Sequence, residues 1–211
     1  MEIRYFNTLP STQEYLVGEL EVNNIQAPIA VICLEQSSGV GSRDNSWSGG
    51  EGNFFASIAL DLDMLPEDLP LGSASIYFSF IMKQTLESLG ENIWLKWPND
   101  FYLNDDKVGG TITKKVNNTL VCGIGINLKN AQNGYRVLQC DISPQKLLEK
   151  YLQALEKFPK WKQVFSEYEI EFESSRKFSV HIEDYKKSLS SATLCEDGSL
   201  IIEGKRVFSL R

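Results

Sequence analysis

The connections between β segments in the middle of the chain are short enough to decide how those segments pair. Three β-rich segments follow one another at 93–97, 101–116 and 117–129, and the second turns on itself at Asn104–Asp106. Parallel neighbours need a crossover of a dozen or more residues, whereas a hairpin needs only a few. These segments therefore predict a mostly antiparallel sheet.

Apolar periodicity predicts the elements around this sheet. Ser11 and Glu14 have the spacing of a capping box, which predicts a helix start, and Ser143-Pro144 is a good N-cap and first helical position. The other predicted elements are strands over 3–9, 28–35 and 53–62 and helices over 73–90, 145–158 and 159–172. The predicted fold class is α+β, with a mixed, mostly antiparallel central sheet flanked by helices.

The sequence pattern changes from helical to β-like near residue 177. Short β-like runs separated by turn residues occupy its last part, at 178–184, 191–196, 199–204 and 205–210. Closely spaced short strands of this kind are typical of small all-β units. We therefore predict two domains, a main domain over residues 1–175 and a small C-terminal domain over residues 176–211 that is all-β and β-barrel-like.

Composition and charge limit the classes of function. With 211 residues, 42% of them hydrophobic, the chain can bury a core without disulfides or metals. Its net charge of −7 argues against nucleic acid as the main partner, because binding to phosphate backbones needs clustered Lys and Arg. The four cysteines are far apart and lack metal-site spacing, which is typical of a reducing cytosol. We find neither a signal pattern nor an apolar stretch of membrane-spanning length, so the sequence predicts a cytoplasmic protein.

Four stretches are too polar or too rich in glycine for a purely structural role. They are the loop at 36–52, KWPND at 96–100, DDKVGG at 105–110 and GIGIN at 123–127. Each has a structural interpretation, since Pro-Asn-Asp suits a turn, hairpin lysines are usually solvated, and alternate glycines allow close packing. The alternative is a ligand site. There, glycines leave a flat wall, an ammonium group offsets a carboxylate or phosphate, and carboxylate and amide oxygens hold Mg²⁺.

Several common catalytic signatures are missing from the sequence. No Gly-x-Gly-x-x-Gly opens a helix, and there is no P-loop. His181 is the only histidine and lies in the predicted C-terminal domain. A Ser-His-Asp or Cys-His arrangement therefore has no histidine near the four stretches.

Taken together and in chain order, these stretches resemble the motifs of the biotin protein ligases. The matching segments are STQ, QSSGVGSRDNSW, KWPND, KVGG and GIGIN, and they extend from about Thr8 to Asn127. The resemblance implies a ligase that activates biotin with MgATP to biotinyl-5′-AMP and transfers biotin to a lysine of a biotin carboxyl carrier domain. It also implies that the glycine-rich loop is a lid that excludes water from the adenylate. It leaves open whether two chains pair as a homodimer.

The resemblance also assigns roles to individual residues. Ser11, Thr12 and Gln36 would bind the ureido end of biotin, and Gly39 and Gly110 would offer backbone groups to biotin. Lys107 and Arg43 are the expected catalytic residues. The residues expected to bind ATP and the adenylate are Trp47, Lys96, Asn99, Asp100 and Asn127. Asp100 and Asn127 are also expected to bind Mg²⁺.

The glycine-rich loop departs from the family pattern. The family's arginine-rich run is replaced here by Gly-Val-Gly-Ser-Arg-Asp-Asn at 39–45, in which Arg43 remains and Asp44 adds an opposing charge. Guanidinium groups are fixed-geometry donors for carboxylate and phosphate. We therefore expect weaker retention of biotin or the adenylate than in an arginine-rich relative. The chain also begins directly at the first strand, so we expect no DNA-binding repressor role.

Two other functions remain open at this point. A lipoate or octanoate protein ligase or transferase has a related fold and also uses a lysine, but it typically lacks KWPND. A non-catalytic descendant that only binds biotin or a carrier domain would explain the arginine-poor loop, although Lys107 and Asp100 argue against it. ATP–pyrophosphate exchange that is stimulated by biotin and not by lipoate would separate these functions.

Overall fold

A computed structural model describes residues 1–41, 46–47, 50–131, 135–182 and 185–208. The strands before residue 130 are β1 (Glu2–Leu9), β2 (Ile29–Gln36), β3 (Gly39–Val40), β4 (Ser46–Trp47), β5 (Phe54–Asp61), β6 (Ile93–Lys96), β7 (Asp100–Leu103), β8 (Asp106–Val116) and β9 (Thr119–Ile126). Seven of them form one sheet in the order β1-β2-β5-β9-β8-β7-β6. β1 and β2 are parallel, and the other neighbours are antiparallel. This confirms the predicted mixed, mostly antiparallel sheet.

Helices cover both faces of the sheet. They are α1 (Thr12–Glu21), α2 (Ala74–Glu87), α3 (Pro144–Leu155) and α4 (Trp161–Ser175). Alternate residues of β2 and β5 pack against α1 on one face and against the core formed by α2, α3 and α4 on the other. Side chains of these strands point to opposite faces in turn, which explains why their sequences are almost entirely apolar. In the described ranges, no helix has both the length and the apolar character needed to cross a membrane.

Local sequence chemistry sets the start of two of these four helices, α1 and α3. The Ser11 side chain accepts a hydrogen bond from Glu14 N at 3.3 Å and caps α1 as predicted. α4 begins at Trp161, two residues later than the prediction. Its first N–H groups, those of Trp161 and Lys162, donate to the Asp68 carboxylate at 3.0 and 3.1 Å. A distant side chain therefore sets this boundary, and Pro159 does not.

The C-terminal part contains two small antiparallel sheets. Their strands are β10 (Ser179–Ile182), β11 (Tyr185–Ser188), β12 (Thr193–Leu194), β13 (Leu200–Ile202) and β14 (Lys205–Val207). β10 pairs with β11, and β12, β13 and β14 pair in that order. The sequence prediction missed β11, whose residues YKKS contain no apolar alternation. The domain boundary at residues 175 and 176 stays a prediction.

Two short strands lie in the glycine-rich segment. It contains a short hairpin in which β3 and β4 pair, with Gly39 opposite Trp47 and Val40 opposite Ser46. The pairing brings Trp47 back toward the end of β2. The predicted loop therefore has a structured base next to the central strands.

Candidate active site

One cavity lies between the sheet, the first turn of α1 and the β3–β4 hairpin. It opens to solvent, and its atom-free space, which includes part of that open solvent, is about 470 Å³. Eight of the residues predicted from the sequence line it together: Ser11, Thr12, Gln36, Trp47, Asn99, Asp100, Lys107 and Gly110. Segments that are up to about a hundred residues apart in the chain therefore meet in one place.

Three other predicted residues are described by the structure and lie outside the lining. Gly39 is next to the cavity, where an added Cβ would lie 2.6 Å from Gln36 Nε2. Lys96 stands behind Asp100 and does not line the cavity. Asn127 also lies outside the lining, and its amide donates to the Arg136 carbonyl at 3.3 Å. Arg43 lies outside the described residues.

A hydroxyl and amide network forms one end of the cavity. Thr12 donates from its backbone N and its hydroxyl to Gln36 Oε1, at 2.8 and 3.1 Å. Thr12 Oγ1 also lies 2.8 Å from Ser57 Oγ. Because the single hydroxyl proton of Thr12 goes to Gln36, Ser57 donates to Thr12 and keeps its own oxygen as an acceptor. This end therefore presents an acceptor on Ser57 and the N–H donors of the Gln36 amide.

Glycines form the wall of the cavity on β8 and β9. Gly110 and Gly125 are directly paired across the two strands. An added Cβ on Gly125 would lie 2.7 Å from Trp47 Nε1, and one on Gly123 would lie 2.6 Å from Gln13 Oε1. Both distances are shorter than any ordinary contact of a side-chain carbon. A side chain at either position on β9 would therefore displace the Trp47 ring or the Gln13 side chain, which agrees with the flat wall predicted from GIGIN.

A charged corner forms the other end. Lys107 Nζ lies 2.6 Å from Asp100 Oδ1, and Lys96 Nζ lies 3.5 Å from Asp100 Oδ2. Lys107 Nζ also lies 5.7 Å from the centre of the Trp47 ring. Two ammonium groups thus meet one carboxylate at this corner, and the Lys107 ammonium lines the cavity, although the whole chain carries −7. The corner can therefore attract the carboxylate or phosphate of a ligand.

Unpartnered polar atoms mark the cavity as a ligand site. Four buried side-chain atoms of its lining have no hydrogen-bond partner: Gln13 Oε1, Trp47 Nε1, Asn99 Oδ1 and Thr111 Oγ1. In the rest of the described chain the same is true only of three hydroxyl groups, those of Tyr77, Ser79 and Tyr168. Leaving such a group unsatisfied costs about 1–3 kcal/mol. A polar ligand in the cavity would remove this cost.

Sequence reasoning missed several lining residues. Ser57 is a polar residue within the apolar strand β5, which is a signal that the sequence does carry. Thr111 follows the paired glycines of β8 and carries no such signal. Gln13, Gly123 and Gly125 lie inside motifs that the sequence singled out, although they were not among the predicted site residues.

The two cysteines on the central strands do not supply a nucleophile to this site. Cys33 and Cys122 are buried on β2 and β9. Burial raises the pKa of Cys33 to about 11 and that of Cys122 well above its ordinary value. Both stay protonated at neutral pH, so neither supplies a thiolate nucleophile.

A resident metal centre is not built into the described residues. They contain no group of three or more His, Cys, Asp or Glu side chains that could hold a metal ion. Mg²⁺ bound with a nucleotide needs only one or two protein oxygens, because phosphates and water complete its shell. The Asp100 carboxylate and Asn99 Oδ1, both in the lining of the cavity, could supply these one or two oxygens. The pairing of Asp100 with Asn127 at Mg²⁺ stays a prediction.

Comparison with known proteins agrees with the motifs. A sequence model of the biotin/lipoate A/B protein ligase family matches residues 5–130. The bifunctional ligase/repressor BirA of Escherichia coli is 30% identical over 127 residues, which are 57% of this chain and 38% of BirA. Biotin–protein ligase 2 of Arabidopsis thaliana is 30% identical over 122 residues, 52% of this chain and 36% of that protein. The chain thus matches less than half of the length of these relatives.

Solved structures share the whole fold. The biotin acetyl coenzyme A carboxylase synthetase of Helicobacter pylori, solved with bound biotinylated ATP, superposes with a TM-score of 0.93 at 39% identity, covering 98% of this chain and 99% of that one. The biotin protein ligase of Aquifex aeolicus in complex with biotin and ATP has a TM-score of 0.78 at 21% identity, covering 100% and 96%, and shows the likeness of fold alone. These comparisons confirm the resemblance that the motifs indicated, and the chain belongs to the biotin/lipoate A/B protein ligase family.

Proposed function

We propose that the protein activates biotin with MgATP to biotinyl-5′-AMP and transfers biotin to a lysine of a biotin carboxyl carrier domain. This proposal rests on the two different ends of the cavity described above. One end is neutral and forms hydrogen bonds through Thr12, Gln36 and Ser57, and the other end carries the Lys107 ammonium. Biotin has a cyclic urea at one end and a carboxylate at the other. The two ends of the cavity match these two groups.

The neutral end favours biotin over lipoate. A cyclic urea offers N–H donors and a carbonyl acceptor, which suit the Ser57 oxygen and the Gln36 amide N–H groups. The dithiolane ring of lipoate has no such groups and would leave these polar atoms unpaired, which costs about 1–3 kcal/mol each. Ser11 and Gln13 would complete the surroundings of the urea, and Gly39 and Gly110 would offer backbone groups along biotin.

At the positive end, Lys107 would stabilise charge during adenylation. An oxygen of the biotin carboxylate attacks the α-phosphorus, the bond from phosphorus to the bridging oxygen breaks, and pyrophosphate leaves with that electron pair. Negative charge builds up on the α-phosphate oxygens, and an oriented ammonium group lowers the barrier. Asp100 holds the ammonium of Lys107 in place. Mg²⁺, held by Asp100 with Asn99 or Asn127, would offset further phosphate charge.

Transfer to the carrier domain uses the same corner. The neutral ε-amine of the acceptor lysine attacks the acyl carbon of the adenylate, the bond from that carbon to the phosphate oxygen breaks, and AMP leaves. The amine proton passes to solvent.

Trp47 lies against the glycine wall and would stack on the adenine, while Arg43 would contact the adenylate. The cytoplasmic location and a homodimer remain predictions.

One incubation tests this function. The protein is mixed with biotin, MgATP and a biotin carboxyl carrier domain, and the carrier is weighed by mass spectrometry. We expect the mass to rise by one biotinyl group, and no change with lipoate in place of biotin or with the acceptor lysine replaced by arginine. A carrier modified by lipoate and not by biotin would contradict the proposal.

Lys107→Ala supplies the internal control. We expect this variant to lose about 100- to 1,000-fold in biotin-dependent ATP–pyrophosphate exchange, because one charge-stabilising donor is removed. Lys150→Ala, an exposed lysine on α3, should leave the exchange rate unchanged. Near-normal exchange in Lys107→Ala would remove Lys107 from the mechanism.

A further inference from the structure

Lys96 stands behind the ion pair of the active site. It is the last residue of β6 and is paired in register with Asp100, the first residue of β7. Its ammonium approaches Asp100 Oδ2, while Lys107 approaches Oδ1 of the same carboxylate. Of the two lysines, Lys107 lines the cavity and Lys96 does not. The Asp100 carboxylate therefore contacts Lys107 on the side of the cavity and Lys96 on the side away from it.

Two aromatic rings hold the Lys96 ammonium. Its Nζ lies 5.8 Å from the centre of the Tyr102 ring and 5.9 Å from that of Phe178. The two rings contact each other edge to face, with centres 5.2 Å apart. Burial and the charge of Asp100 raise the pKa of Tyr102 well above its ordinary value, so its ring stays uncharged. A cation over an aromatic face is attracted by the ring quadrupole.

Phe178 connects this arrangement to the C-terminal strands. It follows α4 and precedes β10 directly. The neighbouring Trp97 reinforces the connection, because its Nε1 donates to the Gly198 carbonyl at 2.9 Å. Its backbone N donates to Ser175 Oγ, at the end of α4, at 3.1 Å. The turn that carries Asp100 is therefore attached to the C-terminal part at two adjacent residues.

We propose that Lys96 is a positioning residue for adenylate formation and that Phe178 sets its position. The proposal rests on the function proposed above and replaces the nucleotide contact that the sequence suggested for Lys96. While Lys96 holds Asp100 Oδ2, the carboxylate engages Lys107 through Oδ1, and the remaining N–H groups of Lys107 are left for the ligand. Without Lys96, Asp100 Oδ2 loses this ammonium contact, and the carboxylate no longer holds Lys107 in one orientation toward the cavity.

The test compares catalysis with binding in matched variants. The variants are Lys96→Met, Lys96→Arg, Phe178→Leu and the double variant Lys96→Met/Phe178→Leu, with Lys150→Met as the exposed control. For each, we measure kcat and KM in biotin-dependent ATP–pyrophosphate exchange, biotin affinity by calorimetry without ATP, and the urea midpoint of unfolding.

We expect Lys96→Met to lower kcat about 10- to 100-fold, the size of effect that a misplaced catalytic group produces. Biotin affinity should change less than about threefold, because the urea end lies on other strands. Lys96→Arg should restore most of kcat. Phe178→Leu should lower kcat about 3- to 10-fold, and the double variant should be no slower than Lys96→Met, because Phe178 acts through Lys96.

Three results would overturn the proposal. One is a Lys96→Met variant whose kcat is within about twofold of the unsubstituted protein. Another is a loss of biotin affinity and of the urea midpoint in parallel with kcat, which would make Lys96 merely structural. The third is additive losses in the double variant. Failure of the proposed function is separate, because it appears as absent biotin-dependent exchange in the unsubstituted protein.

Discussion

Replacing Gly125 by alanine puts one methyl group between β9 and the indole of Trp47. The added Cβ would lie 2.7 Å from Trp47 Nε1 and 2.8 Å from Cε2. Ordinary van der Waals contact begins near 3.4 Å, so the ring must withdraw by about 0.7 Å. Trp47 packs against the edge of the core on the α1 side, but it sits on a hairpin with two residues per strand, so we expect the hairpin to take up this shift.

The structure sets the size of the effect on binding. A gap of this width removes about a quarter to a half of a dispersion contact. Stacking of a base on an aromatic ring contributes about 1–3 kcal/mol. If Trp47 stacks on the adenine, the variant loses about 0.25–1.5 kcal/mol of binding free energy, which weakens binding of the adenylate about 1.5- to 13-fold. Folding stability should change by less than about 0.5 kcal/mol, because a new Cβ also restricts the unfolded chain.

Calorimetry with a non-hydrolysable analogue of biotinyl-AMP measures this loss, and urea unfolding measures stability. Gly18→Ala is the matched control, since Gly18 is exposed in α1 and an added Cβ there meets nothing within 4 Å. It should raise stability by about 0.5–1 kcal/mol and leave the affinity unchanged. Unchanged analogue affinity in Gly125→Ala would refute the stacking of Trp47. A stability loss above about 2 kcal/mol would show that the wall belongs to the core.

Three further substitutions test other parts of the structure. Gly109→Ala should lower the free energy of unfolding by about 2–3 kcal/mol, because its Cβ would lie 2.6 Å from the Gly125 carbonyl oxygen; an unchanged urea midpoint contradicts this. Ser57→Ala should weaken biotin binding in calorimetry about tenfold with an unchanged midpoint, because it removes an acceptor from the cavity; equal affinity contradicts it. Asp68→Asn should cost about 0.5–1 kcal/mol at pH 7, because the carboxylate caps α4 at Trp161. Burial opposes ionisation of Asp68, but the helix N–H groups lower its pKa below 3.8, so its contribution is complete above that value and is lost as pH falls. Unfolding curves should therefore converge with wild type at low pH, and a constant difference from pH 7 to pH 3 contradicts this.

The elements that the sequence predicted well are those whose boundaries depend on neighbouring residues. Ser11 and Ser143 cap their helices through N–H groups three residues ahead, and both caps are present. The start of α4 could not be found this way, because Asp68 is 93 residues away from Trp161. β11 was missed because its pairing with β10, and not its own composition, makes it a strand.

The residues of the site likewise divide into those that local motifs predict and those that depend on how distant strands pair. The motifs predicted which segments would meet, since residues from STQ, KWPND, KVGG and GIGIN line one cavity. They did not predict Ser57, because its role depends on register. β5 places it directly opposite Gly123, so its hydroxyl projects beside a position without a side chain. A shift of one residue would turn the hydroxyl to the other face of the sheet.

The unpartnered atoms explain why this cavity persists in a chain that otherwise packs well. A buried polar group without any partner costs about 1–3 kcal/mol, and the lining holds four side-chain atoms without a partner in the described part of the protein. Apolar side chains at Gln13, Asn99 and Thr111 would remove three of these four atoms and fill part of the space. A sequence shaped by stability alone would therefore close the cavity. The chain instead keeps acceptors on Gln13 and Asn99 facing the same space as the Lys107 ammonium, so the requirement these residues satisfy is that of a ligand with N–H donors and an anionic group.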